Sequence, residues 1–355
     1  MKQIGFILAS VILFCSCGQT NNNKTNSLGM VWKYEDFEQP LSVGVAISGD
    51  KTMVCSMYGT EYALIETSTG QNIWHKTLED VEPANENIFQ PVDAGRKMMF
   101  TAGNQLRCFD MEDGTQLWNF GAQETQIGPP TFYEPAVANG RIYIGSNTGS
   151  LFCLDAPSGI QNWQITSKED AYGPTIALNN KIATLMLSSR IECRRQDQGW
   201  LVWKNDHFRM PLEQIPNDGK ILYLSNPGPS IAALDPDDMK VLWETSLDKK
   251  SGMLAIPPTV DENFVYCCDE NKIYSFSKAD GKLSSSFEIP FDPETLKTNS
   301  GLIYMTSKNI LYCYDKSGKQ LAQFKEPNGD KLCGLDFGAG VIVCWTARTI
   351  YGLAR

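Results

Sequence analysis

Few residues of the chain are of types and spacings that could carry out catalysis or bind a metal. The 355 residues include only two histidines, His75 and His207, and neither has further ligand-type residues at the spacing that a zinc site requires. The sequence contains no serine-nucleophile elbow, phosphate-binding P-loop, HExxH helix or EF-hand loop. We therefore expect no catalytic residue, no metal site and no cofactor, and a protein that is not an enzyme.

One cysteine near the N-terminus does predict a chemical modification. Lys2 is followed by an apolar stretch from Ile4 to Phe14, which is too short to span a bilayer, and then by Cys15, Ser16 and Cys17. A small residue directly before a cysteine at the end of such a stretch resembles the lipobox of bacterial lipoproteins. The resemblance implies a signal peptide over residues 1–16 and a lipid attached to Cys17. An ordinary secretory signal with an incidental cysteine is the alternative.

The residues after Cys17 predict where the protein is held. Residues 18–29 are polar, small and without periodicity, a composition typical of a flexible tether, so residues 17–29 are expected to be the lipidated cysteine and its tether. In lipoproteins, Gly18 in place of Asp and the lack of a following acidic cluster imply an outer-membrane protein that faces the periplasm. The net charge of −10 disfavours nucleic acid and anionic lipid headgroups as partners. We therefore expect the protein to contact the membrane through its lipid anchor alone.

A repeated pattern predicts the elements that make up the rest of the chain. An apolar strand, a turn that ends in Gly and a Trp four residues later recur at intervals of about 40 residues, which is typical of four-stranded β-propeller blades. No window shows a helical stripe of apolar residues, so an all-β fold is expected. The residues at the Trp position are Trp74, Trp118, Trp163, Trp203 and Trp243, and Trp32 fits the same position without a preceding turn.

The number of blades follows from counting hairpins. Three strands near residues 332–336, 341–345 and 349–354 end the chain without a fourth strand, and Met30–Tyr34 is an isolated outer strand at the other end. Joining these two segments in one blade closes the ring and removes exposed sheet edges. The sequence thus predicts an eight-bladed β-propeller of four-stranded antiparallel blades over residues 30–355. The seven complete outer hairpins are centred near residues 68, 112, 157, 197, 237, 279 and 317.

The residues of the repeat have structural interpretations. Each Trp is large enough to wedge between neighbouring blades, and the turn Gly supplies a left-handed backbone conformation. A small side chain recurs two residues before the turn acid, and in four repeats it is a cysteine. Equivalent positions in different blades lie too far apart for disulfides, so we expect these cysteines to act as small apolar residues. They are Cys108, Cys153, Cys193 and Cys313.

The unit from Cys153 to Trp163 resembles the tryptophan-docking motif of quinoprotein-type, or PQQ-like, propellers. Members that are alcohol dehydrogenases bind pyrroloquinoline quinone and calcium and contain a vicinal disulfide. The sequence leaves open whether Cys267 and Cys268 form such a bond, but it lacks long insertions to cover a cofactor. Members that are BamB lipoproteins match this chain in length, lipobox, tether and blade count. That resemblance implies docking to β-barrel assembly components.

We therefore predict a non-catalytic envelope scaffold that binds other proteins, with the binding of a glycan or secreted peptide as the alternative and quinone-dependent dehydrogenation as a weaker one. The long connections between blades, at 121–135, 164–173, 204–213 and 244–258, predict a partner face, because binding residues concentrate on loops. Phe132, Tyr133 and Glu134 are its candidate residues.

Two further groups of charged residues have a structural and a functional interpretation. Glu134, Glu213 and Asp336 fall on or near predicted innermost strands, where they would be solvated channel walls or would bind a cation or peptide. The segment Cys193-Arg194-Arg195 interrupts the repeat by placing an arginine, Arg195, where Asp is usual. This predicts a local rearrangement of salt bridges or, alternatively, part of a docking surface.

Overall fold

The computed structural model is entirely β in the residues that it describes. Eight sheets form eight blades around a ring, so the predicted eight-bladed β-propeller is confirmed. Each blade is antiparallel, with its first strand innermost. The structure describes residues 26–41, 44–57, 59–78, 89–102, 105–121, 130–167, 172–186, 188, 190–205, 215–226, 230–247, 254 and 256–355.

The N-terminal half of the chain forms blades 1 to 4 after two short N-terminal strands. The N-terminal strands are β1 (Asn26–Ser27) and β2 (Met30–Tyr34). Blade 1 contains β3 (Val45–Ser48), β4 (Lys51–Cys55), β5 (Glu61–Glu66) and β6 (Asn72–Thr77). Blade 2 contains β7 (Val92–Asp93), β8 (Lys97–Ala102), β9 (Gln105–Asp110) and β10 (Gln116–Gly121). Blade 3 contains β11 (Ala136–Ala138), β12 (Arg141–Gly145), β13 (Ser150–Asp155) and β14 (Gln161–Thr166), and blade 4 contains β15 (Tyr172–Leu178), β16 (Lys181–Met186), β17 (Ile191–Arg195) and β18 (Leu201–Asn205).

The C-terminal half forms blades 5 to 8. In blade 5 the described residues form three strands, and an isolated bridge between Asn217 and Leu222 stands in the innermost position. Blade 5 contains β19 (Leu222–Asn226), β20 (Ser230–Leu234) and β21 (Val241–Ser246), and blade 6 contains β22 (Thr259–Val260), β23 (Phe264–Asp269), β24 (Lys272–Ser277) and β25 (Leu283–Glu288). Blade 7 contains β26 (Thr295–Asn299), β27 (Leu302–Ser307), β28 (Ile310–Tyr314) and β29 (Gln320–Lys325), and blade 8 contains β30 (Gly334–Gly338), β31 (Val341–Trp345) and β32 (Ile350–Ala354).

The ring closes between the two ends of the chain, as the count of hairpins predicted. Strand β2 pairs antiparallel with β32, with Trp32 opposite Gly352 and Tyr34 opposite Ile350, and supplies the outer strand of blade 8. Trp32 and Tyr34 are buried in the same cluster as Ile350. The first and last strands of the propeller therefore stabilise each other.

A short strand at the end of the predicted tether belongs to the propeller. Asn26 and Ser27 form β1, which pairs in parallel with β29 at the outer edge of blade 7, and the amide of Leu28 donates to the carbonyl of Gln323 at 2.8 Å. Leu28 is only 9 % exposed and packs between blades 7 and 8. Leu28 is the one aliphatic side chain of the segment, and burying it fixes residues 26–28 to the ring. The earlier tether residues lie outside the described residues.

The core consists of the interfaces between blades. The alternation of β13 shows the principle, because successive side chains of a strand point to opposite faces. Phe152 and Leu154 pack in the cluster shared with blade 2, whereas Leu151 and Cys153 pack in the cluster shared with blade 4. Both faces of a blade are thus covered by its neighbours, which explains why the third strands are apolar throughout.

Candidate functional site

The six tryptophans of the repeat join each blade to the next. In every case the indole Nε1 donates a hydrogen bond to a backbone carbonyl in the turn of the following blade, so the ring lies across the junction. The acceptors are Thr67 for Trp32 at 3.0 Å, Met111 for Trp74 at 2.9 Å, Ala156 for Trp118 at 3.2 Å, Gln196 for Trp163 at 3.3 Å, Pro236 for Trp203 at 2.8 Å and Lys278 for Trp243 at 2.8 Å.

The turn glycine of each following blade lies against the indole ring. Gly159 has a φ of +70°, and a Cβ atom there would lie 2.6 Å from Cδ2 of Trp118, which is closer than atoms can approach. Blade 5 has Met239 in place of the glycine, and Met239 adopts a φ of +64° and packs against the same hydrophobic cluster as Trp203. In the blades that have glycine, a side chain would therefore meet the indole ring as well as a strained backbone conformation, whereas blade 5 accommodates a side chain at this position.

Blade 6 replaces the tryptophan with two smaller residues. The hydroxyl of Ser285 donates to the carbonyl of Lys316 at 3.0 Å, as an indole nitrogen does elsewhere. Phe287 lies against the following glycine, since a Cβ on Gly318 would be 2.6 Å from the Phe287 side chain. The hydrogen bond and the ring contact of one Trp are thus divided between Ser285 and Phe287.

The small residues of the repeat lie directly opposite the tryptophans. Cys108 pairs with Trp118, Cys153 with Trp163, and Cys193 with Trp203 across the third and fourth strands. No disulfide joins the described cysteines, and these three are buried. Burial raises the pKa of the Cys108 and Cys193 thiols to about 12, so they remain protonated and unreactive.

The adjacent cysteines of blade 6 point to opposite faces of β23. Cys267 packs in the cluster between blades 5 and 6, and Cys268 packs in the cluster between blades 6 and 7. Neither forms a disulfide, and both are buried. Each thiol therefore fills one blade interface, and the pair is not presented to the centre of the ring.

The expectation that Phe132 is an exposed partner residue is wrong. Phe132 is 0 % exposed, and its ring centroid lies 5.8 Å from those of both Phe120 and Phe152. An isolated bridge to Ser146 fixes its backbone and directs the ring into the core. The neighbouring Tyr133 is half-buried, and its ring centroid lies 5.4 Å from that of Phe89. Most of the long connections predicted to form the partner face lie outside the described residues.

Glu134 is set in the wall of the central channel. Burial raises the pKa of its carboxyl to about 7, and the charge of Lys297 partly opposes the shift. Lys297 lies on the innermost strand of blade 7, opposite blade 3 in an eight-membered ring, so this interaction crosses the channel. Asp336 lies on the innermost strand of blade 8, whereas Glu213 lies outside the described residues.

The two arginines that interrupt the repeat form local salt bridges. Arg194 donates to Glu192 at 2.7 Å and to the Tyr172 hydroxyl at 2.9 Å, and both charged side chains are largely buried. Arg195 pairs with Asp197 at 2.9 Å on the surface. Local salt bridges therefore account for both arginines, as the structural interpretation of the sequence predicted.

Two residues that the repeat pattern did not single out differ from their counterparts in other blades. Arg107, in the third strand of blade 2, is only 9 % exposed, and its Nε has no hydrogen-bond partner. Trp200, which directly follows a turn glycine, is 64 % exposed. Only a comparison of blades position by position could have identified them, because neither belongs to a recognisable motif.

The described residues contain no group of three or more histidine, cysteine or acidic side chains arranged to hold a metal ion. In the same residues no helix is long and apolar enough to cross a membrane. Cys17 and His207 lie outside the described residues, and a hydrogen bond of 3.3 Å joins Nδ1 of His75 to the Tyr34 hydroxyl.

Comparison with known families identifies the repeat. The model of the family described as outer membrane protein assembly factor BamB matches residues 26–171 and 187–323. The chain belongs to the BamB family. No curated protein sequence matches it.

Solved structures show how widely the fold is shared. BamB from Moraxella catarrhalis superimposes with a TM-score of 0.68 at 15 % identity, covering 92 % of this chain and 100 % of that one. The computationally designed Ika8 protein gives a TM-score of 0.73 at 10 % identity, covering 94 % and 100 %. Quinohemoprotein alcohol dehydrogenase from Comamonas testosteroni gives 0.70 at 12 % identity, covering 92 % and 76 %. At these identities the likeness concerns the fold alone.

Proposed function

We propose that this BamB-family propeller is a non-catalytic scaffold of the bacterial envelope that docks components of the outer-membrane β-barrel assembly machinery. The observation that carries the proposal is the family match, which extends over most of the ring rather than over one blade. The lipobox at Cys17 supports anchoring in the outer membrane on the periplasmic side, with residues 1–16 removed as a signal peptide. Partners are then other envelope proteins, with the lipid as the contact to the membrane.

Exposed apolar side chains on three consecutive blades support a role in protein binding. Of the large apolar side chains that are exposed in the described residues, half lie on or beside the outer strands of blades 3, 4 and 5, and this concentration is the reason for proposing these blades as the interaction surface. We call this group the apolar rim. Its members are Ile160, Trp200, Leu201, Val202, Val241 and Leu242.

The arrangement of the cysteines favours a scaffold over a quinone-dependent dehydrogenase. In dehydrogenases with this repeat the vicinal disulfide belongs to the cofactor site. Here Cys267 and Cys268 are directed into two different blade interfaces, so the pair does not fit that use. The long insertions that would cover a cofactor are also lacking in the sequence.

Capture from gently solubilised envelopes tests the proposal directly. The full-length chain with a C-terminal affinity tag should retain β-barrel assembly components, as identified by mass spectrometry. The variant Trp200→Ser/Leu242→Ser should lose most of them, because it removes two exposed side chains of the apolar rim. The matched control Leu117→Ser/Leu283→Ser changes exposed outer-strand residues of blades 2 and 6 and should retain them.

The outcome separates the scaffold from its alternative. If wild-type eluates contain no barrel-assembly component, the proposal is wrong, and screening against glycans and secreted peptides becomes the next step. Anchoring is tested separately by labelling cells with a radioactive fatty acid. The label should be incorporated by the wild type and not by Cys17→Ser, which should also leave the membrane fraction.

A further inference from the structure

Arg107 carries a charge into the junction between blades 1 and 2. It lies on β9 two residues before Phe109, so both side chains leave the same face of the strand. That face packs on blade 1, where Phe109 meets the ring of Tyr62 with 4.0 Å between centroids. The Cys55 thiol and the Tyr62 hydroxyl are the titratable groups that interact electrostatically with Arg107, so both lie near its side chain.

The guanidinium of Arg107 has no counter-charge in the described residues. Its Nε is sealed from solvent and has no hydrogen-bond partner among these residues, and the residue as a whole is 9 % exposed. Burial raises the pKa of the Tyr62 hydroxyl to about 12 and raises that of the Cys55 thiol still further, so both neighbours are neutral. An arginine nevertheless stays charged in proteins.

Blade 4 shows how the equivalent face of another blade accommodates an arginine that is paired with an acid. Glu192 occupies the position of β17 that corresponds to Arg107, and Arg194 occupies the position that corresponds to Phe109. There the guanidinium binds Glu192 through Nε at 3.0 Å and through Nη2 at 2.7 Å. A buried ion that lacks such a partner is costly. Blade 2 thus has the cation of such a pair without its anion.

We propose that Arg107 binds a carboxylate of a partner segment that enters the junction of blades 1 and 2. A guanidinium presents a planar fork that matches a carboxylate with two parallel hydrogen bonds. The net charge of −10 of the whole chain opposes the approach of highly charged anions, so the expected ligand is a single carboxylate, of an acidic side chain or a C-terminus, held by direct hydrogen bonds to Arg107. This site goes beyond the proposed function and does not depend on it.

The first test uses acetate as the simplest carboxylate. The Nε signal of Arg107 in ¹H–¹⁵N NMR spectra is assigned by its loss in Arg107→Met, and acetate replaces chloride at constant ionic strength. The signal should shift in a saturable manner, whereas the other arginine Nε signals should not. In Arg107→Met the thermal midpoint in chloride should equal or exceed that of the wild type, because an unpaired buried charge is replaced by an apolar side chain of similar size.

The second test distinguishes a peptide carboxylate from a free anion. The probes are the capped tripeptides acetyl-Ala-Glu-Ala-amide and acetyl-Ala-Gln-Ala-amide, followed through the same Nε signal and by calorimetry. The Glu peptide should bind the wild type about tenfold or more tightly than it binds Arg107→Gln, as expected for a charge-assisted hydrogen bond. The control Arg348→Gln removes the same charge from an exposed site and should bind like the wild type.

Four outcomes would overturn the proposal. Acetate could leave the Arg107 signal unchanged, or it could stabilise wild type and Arg107→Met alike, which would show that the anion acts elsewhere. A large fall in the thermal midpoint of both Arg107→Met and Arg107→Gln in chloride would show that the arginine is satisfied within the protein. Saturable binding of acetate without discrimination between the peptides would restrict the site to small free anions and reject a partner segment.

Discussion

Two glycines of blade 3 allow the contribution of tryptophan docking to be measured against a control in the same blade. Gly159 and Gly140 have φ angles of +70° and +71°. A Cβ on Gly140 would meet nothing within 4 Å, whereas a Cβ on Gly159 would lie 2.6 Å from Cδ2 and 2.7 Å from Cε3 of Trp118. The substitutions Gly140→Ala and Gly159→Ala therefore share the backbone penalty, and only the second displaces the indole.

The expected losses follow from these geometries. A left-handed conformation costs Ala about 1–2 kcal/mol, and the stiffer unfolded chain returns about 0.4–1 kcal/mol, so Gly140→Ala should lower the free energy of unfolding by about 1 kcal/mol. Gly159→Ala adds an overpacking cost of about 1–3 kcal/mol. Moving the ring also weakens the hydrogen bond from Trp118 to the Ala156 carbonyl, worth about 1 kcal/mol. The total for Gly159→Ala is about 3–5 kcal/mol.

Urea unfolding followed by tryptophan fluorescence and circular dichroism measures both variants. The double variant Trp118→Ala/Gly159→Ala should lose less stability than the sum of the single changes, because the ring that obstructs the new methyl group is gone. Equal losses for Gly140→Ala and Gly159→Ala would refute the reasoning, since the indole contact would then contribute nothing beyond the backbone conformation.

Three further outcomes are expected. Because burial raises the pKa of Glu134 from its ordinary 4.5 to about 7, ionisation opposes folding, and the wild type should lose stability between pH 4.5 and 7. In urea unfolding, the free energy of unfolding of Glu134→Gln should rise relative to that of the wild type by up to about 3 kcal/mol over this pH range. A difference between the two proteins that does not change with pH would contradict the raised pKa. Ser285→Ala should lower the free energy of unfolding by about 1 kcal/mol through loss of its bond to the Lys316 carbonyl, while Ser285→Thr, which keeps the hydroxyl, should not. Leu28→Ser should accelerate amide hydrogen exchange in β29, and unchanged protection there would show that β1 does not stabilise blade 7.

The repeat made the fold predictable. The positions that depart from the repeat could not be predicted in the same way. Each Gly and Trp pair marks one blade junction, and counting these junctions also predicted the closure of the ring through Trp32. The pairing of Asn26 and Ser27 with blade 7 was not predicted, because two polar residues carry no strand pattern. Phe132 was assigned to the surface because it follows a long connection, but a single bridge to Ser146 turns it inward.

What a departure from the repeat means depends on whether a neighbour compensates for it. Ser285 departs from Trp, and Phe287 completes the contact; Arg194 departs from an apolar residue, and Glu192 neutralises it. Such coupled changes preserve the frame, which the designed Ika8 protein and a quinohemoprotein dehydrogenase share at 10 % and 12 % identity. They therefore carry no information about a ligand. Arg107 is a departure for which the described residues supply no hydrogen-bond partner to Nε, and it is the position at which we propose a binding site. In a repeat protein, that is where a binding site should be sought.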